Sequence, residues 1–276
     1  MWVIDNQQYL GELGSWNRAA QFGDGLFETL CIVKGVCPAL FHHSKRLREG
    51  LQRLCIPNPE SDITGMLKGF IESMVRHSSN KDGVLKVIVS RGDSARGYGF
   101  EDTIKPRVTV FYTAAILQPE TIYDGVCLQY VEAQCSIQPQ LAGLKHLNRL
   151  ENVLAKKEIK SDCFEGIMTN YLGNIIECSM SNIFFERAGK LYTPDLSLSG
   201  VAGVMRHLVI QYCKKNSISI AIADIKLIDV EGYDGAFICN SVMGVIPVNK
   251  IAKEEFQVSP LIRKIVTMVR CGEIYD

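Results

Sequence analysis

The succession of hydrophobic periods along this chain predicts a mixed α/β protein built as two units. Three observations carry the prediction. Runs with a two-residue period and runs with a helical period follow one another through the whole length. The pattern weakens around 115–123, where a proline also falls, and this stretch reads as a linker. The length, 276 residues, exceeds the usual size of one compact domain, so a first unit at 1–114 and a second at 124–276 can each enclose a core.

The first unit opens with a strand at 1–4. A second strand at 26–33, a turn at Lys34-Gly35 and a run at 36–41 read together as a hairpin. Helices follow. Leu47, Leu51 and Leu54 recur at helical spacing within 43–54, and Met66, Leu67, Phe70, Ile71 and Met74 do so within 63–75, where Ser61 or Asp62 can cap the first turn. Strands at 84–90 and 107–114 return the chain to a sheet, so this unit is α+β.

The second unit reads as a strand at 126–131, a helix at 147–157 and a strand at 166–170, with a turn at Leu172-Gly173-Asn174. Strands at 175–178, 182–186 and 191–193 lead to a helix at 204–215. Strands at 218–223 and 235–239 and a helix at 260–269 finish it. The sequence has no repeats, charge blocks or low-complexity stretches.

Composition narrows the function. Hydrophobic residues make up 47% and charged residues 22%, which suits a folded enzyme and argues against disorder. Lys plus Arg and Asp plus Glu both total 30, so there is no global field to attract nucleic acid or an anionic membrane, and a small-molecule substrate is expected. The ten cysteines are scattered without a C-x-x-C pair, and no histidine stands at metal spacing; they read as buried thiols in a reducing compartment, with no metal expected. No run approaches the ~18 apolar residues of a membrane span and the N-terminus lacks a basic stretch leading into an apolar one, so a cytoplasmic location is expected.

The chemistry is concentrated in a few segments. Gly143-Leu144-Lys145-His146-Leu147-Asn148-Arg149 sets a lysine just ahead of a predicted helix, where it can face a cleft as a covalent nucleophile; most lysines at such a position are merely solvated. Ile175-Ile176-Glu177-Cys178 holds one carboxylate among apolar and small residues, suited to a buried counter-charge or to an edge-strand charge. Ser199-Gly200-Val201-Ala202-Gly203-Val204-Met205 runs a glycine loop into a helix, offering unpaired N–H groups and the positive dipole end to an anion. It lacks the G-x-x-x-x-G-K-[ST] pattern of a nucleotide loop. Asn240-Ser241 after a strand and Arg46 on the first turn of a helix are further candidates for phosphate oxygens. Arg91 and Arg96, five apart in a glycine-containing loop, suit substrate carboxylates. No G-x-S-x-G elbow supports a serine nucleophile.

Taken together, these segments resemble the fold-type IV pyridoxal phosphate enzymes, which include branched-chain and D-amino acid aminotransferases and 4-amino-4-deoxychorismate lyases. The resemblance spans nearly the whole chain. It is greatest to the lyase branch, through Gln21-Phe22-Gly23-Asp24-Gly25, Gly83-Val84-Leu85-Lys86-Val87, Ser90-Arg91-Gly92 with Arg96-Gly97-Tyr98, and Ala142-Gly143-Leu144-Lys145-His146-Leu147-Asn148-Arg149-Leu150-Glu151.

The resemblance implies that Lys145 bonds the cofactor covalently and that Glu177 meets its pyridine nitrogen. It further implies that Arg46, the backbone of Val204 and Met205, and Asn240-Ser241 hold its phosphate. Arg149 falls where other members carry a tyrosine near the phenolic oxygen, and Phe27, Arg91 and Arg96 are the expected substrate contacts. Also implied are a small N-terminal α/β domain, a larger C-terminal pseudo-barrel domain carrying the lysine, and a homodimer with the cofactor between the domains. The activity implied is release of pyruvate from 4-amino-4-deoxychorismate, with amino transfer on D- or branched-chain amino acids as the alternative.

Overall fold

The computed structural model describes residues 2–5, 16–78, 80–114 and 119–275. It divides into two compact units, one of Met1–Leu117 with Lys145–Asn148 and the other of Gln118–Leu144 with Arg149–Asp276.

The first unit is built on an antiparallel sheet of β1 (Trp2–Asp5), β2 (Gly25–Ile32), β3 (Gly83–Ser90) and β4 (Arg107–Ala114), in the order β1-β4-β3-β2. Alternation in β2 and β3 sends Leu26, Leu30, Ile32, Leu85, Val87 and Val89 to one buried face. Helix α2 (Leu40–Arg53) packs on β2 through this layer, and α3 (Ile63–His77) packs on α2. The Asp62 carboxylate caps α3, accepting from the Gly65 N–H at 2.9 Å. A short α1 (Arg18–Phe22) precedes β2.

The expected second arm of the hairpin is absent. Val33 and Val36 form one isolated bridge across the Lys34-Gly35 turn, both in left-handed backbone, and α2 then begins at Leu40. Pro38 lacks the N–H that a ladder needs there.

The lysine segment also differs from expectation. The helix expected at 147–157 is α4 at Leu150–Glu158, and Lys145–Asn148 belongs to the first unit rather than to the C-terminal one. The Phe27 N–H donates to the Lys145 carbonyl at 2.9 Å, the Leu147 N–H donates to the Gly25 carbonyl at 3.1 Å, and Leu26 bridges His146 antiparallel. The segment therefore lies along β2 through one isolated bridge. Gly25 permits it: a Cβ there would lie 2.5 Å from the Val89 carbonyl oxygen and 3.0 Å from Leu147 Cδ1.

The second unit has β5 (Val126–Tyr130), β6 (Glu165–Thr169), β7 (Ile175–Cys178), β8 (Asn182–Arg187), β9 (Lys190–Pro194), β10 (Ile220–Ala223), β11 (Gly235–Asn240), β12 (Gly244–Ile251) and β13 (Glu254–Glu255). Its strand path is β10-β9-β8-β11-β12-β5-β6-β7, with β13 beside β12. β7 ends the path, yet a turn of only Ser179-Met180-Ser181 leads from it to β8, third from the other end. Only a sheet curled back on itself satisfies that connection, which gives the half-barrel expected of the fold class. Leu128, Ile167, Ile183, Phe185, Ile238 and Ile246 fill its core. Helices α5 (Val204–Lys215) and α6 (Pro260–Cys271) complete the unit.

β12 was not anticipated, because Val245 to Val248 are all buried, so the segment shows no alternation, and Pro247 interrupts it. Of the expected linker, 115–118 lies outside the described residues. The rest enters a 3-10 turn, Glu120–Asp124, whose Ile122 is buried in the second unit's core.

Candidate active site

In the first unit, the antiparallel pairing with β2 fixes the backbone of Lys145, and its Nζ stands 4.3 Å from the centroid of the Phe27 ring. Phe27 lies on the more open face of β2, whereas its neighbour Glu28 points to the buried face.

Glu28 was missed by sequence reading, and it organises Arg46. Arg46 Nε and Nη2 donate to the two carboxylate oxygens at 2.8 and 2.5 Å, and His43 Nδ1 lies 2.6 Å from Glu28 Oε2. Burial would raise the Glu28 carboxyl, but the Arg46 and His43 charges overcome it and hold the group down at about 2. The available signal was a carboxylate at an inward position of an alternating strand. A buried charge of that kind requires a cationic partner.

The loop after β3 separates the two expected substrate arginines. Arg91 is buried and donates to Asp24 through Nε and Nη2, to the Cys55 carbonyl and to the Leu54 carbonyl. With its fork so engaged, Arg91 braces the loop. Arg18, also unforeseen, shares Asp24 and holds the carbonyls of Gly97, Tyr98 and Gly99. The two guanidinium groups keep Asp24 below the usual carboxylate range despite its partial burial. Arg96, between these anchors, is exposed.

In the second unit, Glu177 is buried on β7, where its Oε2 accepts from the Val201 N–H at 2.8 Å and from Asn182 Nδ2 at 3.4 Å. Asn182 also donates to the Val201 carbonyl at 2.9 Å and accepts from the Gly203 N–H at 3.1 Å. Two glycines make room for this arrangement. A Cβ at Gly200 would meet Ile176 at 2.6 Å, and one at Gly203 would meet Asn182 Oδ1 at 2.0 Å. Gly143 pairs with Val201, so the loop whose N–H holds Glu177 is itself held by backbone bonds within the second unit.

Gly203 is the N-cap of α5 and supplies no side-chain acceptor, so the N–H groups of the first turn, at Val204 and Met205, have no side-chain cap. Helix polarity makes such an N-terminus favourable to an anion. Asn240 shapes a turn. Its Oδ1 accepts from the Val242 and Met243 N–H groups at 2.9 and 2.8 Å, shaping the turn between β11 and β12, and its amide reaches Ser181 Oγ at 3.3 Å. Ser241 is half-buried within that turn. Arg149, half-buried at the start of α4, donates to the Leu144 carbonyl at 3.3 Å and to Asn152 at 3.4 Å; burial lowers its pKa, and the Glu177 and Glu151 charges partly offset this. Among the described residues no cluster of His, Cys, Asp or Glu could hold a metal ion.

In the second unit, a helix N-terminus without a side-chain cap and a hydrogen-bonded buried carboxylate suit a phosphate and a ring nitrogen, and in the first unit Lys145 supplies an amine suited to an aldehyde; each of these groups fits pyridoxal phosphate. The family model of amino-transferase class IV matches residues 25–251. The chain belongs to that family. An aminodeoxychorismate lyase from Vibrio harveyi is 36% identical over 96% of this chain and 97% of its own. A crystal structure of 4-amino-4-deoxychorismate lyase from Pseudomonas aeruginosa superposes with a TM-score of 0.91 at 34% identity, covering 98% of both chains. A D-alanine aminotransferase from Bacillus licheniformis is 27% identical over 85% of this chain and 81% of its own. The class IV family thus accounts for the fold, and the relatives at 36% and 34% identity are lyases.

Proposed function

We propose that this class IV enzyme is a pyridoxal phosphate-dependent lyase that converts 4-amino-4-deoxychorismate to 4-aminobenzoate and pyruvate. The observation that carries the proposal is the near full-length likeness to two lyases, at 36% and 34% identity. When bound, the cofactor supplies an electron sink for the carbon bearing the substrate amine. Lys145 would hold the aldehyde carbon of the bound cofactor, and its amine would take the proton from the ring carbon that bears the substrate amine. Aromatisation of the ring would favour loss of the enolpyruvyl group as the enolate of pyruvate, which takes up a proton at its methylene carbon.

Glu177 keeps a negative charge beside the pyridine nitrogen, held by the Val201 N–H and Asn182. The N–H groups of Val204 and Met205, the Ser241 hydroxyl in the turn shaped by Asn240, and Arg46 oriented by Glu28 take the phosphate. Arg149 would stand near the phenolic oxygen of the bound cofactor. Phe27 flanks the reacting amine on the substrate side, and Arg96 offers an exposed cation to a substrate carboxylate.

The enzyme acts as a homodimer. Leu150, Val153 and Leu154 line one face of α4 and are 77%, 61% and 57% exposed, an apolar stripe suited to a second copy. We place it in the cytoplasm, a reducing compartment that suits ten free cysteines.

The test is turnover of 4-amino-4-deoxychorismate by the holoenzyme with no 2-oxo acid added. Equal, continuing release of 4-aminobenzoate and pyruvate is expected, and none from Lys145→Ala. A single burst that resumes only on adding 2-oxoglutarate or pyruvate would assign the chain to amino transfer.

A further inference from the structure

The sulfurs of Cys127, on β5, and Cys163, in the turn before β6, lie 3.3 Å apart, although the residues are 36 positions apart in sequence. Backbone bonds set this approach. The Phe164 N–H donates to the Cys127 carbonyl at 2.8 Å, and the Cys163 N–H donates to the Lys160 carbonyl at 3.1 Å. The parallel pairing of β5 with β6 then continues from Leu128 opposite Glu165. Both thiols are partly exposed, whereas Cys37, Cys135, Cys178, Cys213 and Cys239 are buried. A disulfide needs its sulfurs at ~2.05 Å, so a closing movement of about 1.2 Å suffices.

We propose that Cys127 and Cys163 form a reversible oxidation site, a dithiol that closes to an intramolecular disulfide on meeting a disulfide oxidant of the glutathione class. One thiol loses its proton and attacks a sulfur of glutathione disulfide, releasing a glutathione thiolate that takes up a proton. The second thiol, deprotonated in turn, attacks the mixed disulfide and releases the second glutathione. Two protein S–H bonds are lost and one S–S bond is gained, while glutathione disulfide is reduced to two glutathiones. Burial and the neighbouring sulfur hold the Cys163 thiol up at about 11, so closure is slow at neutral pH and quickens as pH rises.

The location gives the bond its consequence. β5 and β6 are the two ends of a parallel crossover, and the chain between them carries Lys145 and α4. A Cys127–Cys163 bond staples that crossover at its base and restricts the unfolded chain across the whole segment.

The test incubates the holoenzyme with glutathione disulfide at pH 8 and digests it without reduction. The expected product is a Cys127 peptide joined to a Cys163 peptide, about 2 Da below the sum of the two, reversed by dithiothreitol. The thermal midpoint should rise by several degrees on closure, as a long closed loop requires. Cys127→Ser and Cys163→Ser should each remove the linked peptide and the rise, with turnover matching the parent. Persistent separate glutathione adducts on the two residues, a link through other cysteines, or no modification at either residue would each overturn the proposal.

Discussion

Glu165 shows what burial does to a carboxyl that the chemistry does not use. It sits on β6 with no exposed surface; its Oε1 accepts from Ser179 Oγ at 3.2 Å, and its Oε2 has no hydrogen-bond partner. Burial pushes it up to about 7, with the Ser179 and Ser181 hydroxyls and Lys156 pulling only part of the way back. A carboxyl raised in the folded state binds more protons there than in the unfolded chain. Its contribution to stability is therefore fully present below about 4.5 and is lost as pH rises through about 7. Glu165→Gln is neutral throughout, so its thermal midpoint should equal or trail the parent at pH 5 and exceed it at pH 8. A midpoint difference that stays flat across that range would show that Glu165 carries no raised pKa. Glu177 is the contrasting case, a buried carboxylate whose oxygen accepts from a backbone N–H. Glu177→Gln keeps the shape but removes the charge, and a nearby opposite charge shifts a pKa by about 1–3 units, so turnover should fall roughly 10- to 1,000-fold. Cofactor affinity, measured by absorbance titration, should change far less. Lys145 and Glu177 are candidates in the sequence because each stands in a distinctive segment. Glu28 and Arg18 were not, because their roles come from partners distant in sequence.

At the scale of elements, the start of α5 ties the glycine loop to the carboxylate. The helix range, Val204–Lys215, is the one its periodicity predicts, and the glycine loop before it leads into an N-terminus without a side-chain cap. The seating of Asn182 against Gly203 was not readable, because it joins β8 to the loop by side-chain geometry. Gly203→Ala tests that seating. Its Cβ would lie 2.0 Å from Asn182 Oδ1, so Asn182 must swing away and lose its bonds to Gly203, Val201 and Glu177. At about 1 kcal/mol for each bond lost, the apparent affinity for pyridoxal phosphate should drop tenfold or more. Titration of the holoenzyme absorbance band checks this, and an unchanged midpoint would separate the Asn182 seat from cofactor binding. The same scale explains the misread elements. The apolar spacing after Lys145–Asn148 is helical, yet the backbone of this segment pairs with β2, a partner more than a hundred residues earlier that no local pattern reveals.

At the scale of the whole molecule, the two-unit organisation followed from length and the break in pattern, and the curled sheet followed only from the resemblance. Strand order depends on pairings such as β12 with β5, which no local period encodes. Quaternary structure is subject to the same limit, but α4 provides a handle on it. Burying an aliphatic side chain is worth about 1.5–3 kcal/mol, so Leu150, Val153 and Leu154 together can contribute several kcal/mol to each copy's side of a dimer. Because these three side chains are largely exposed in the single chain, a charge among them should leave the fold of the subunit intact while opposing association. Val153→Asp should therefore convert a species of about twice 30.8 kDa into one near 30.8 kDa by light scattering, with unchanged far-ultraviolet circular dichroism. If Val153→Asp remained dimeric, the interface would lie on another face, and if the parent ran at 30.8 kDa, the dimer itself would be refuted.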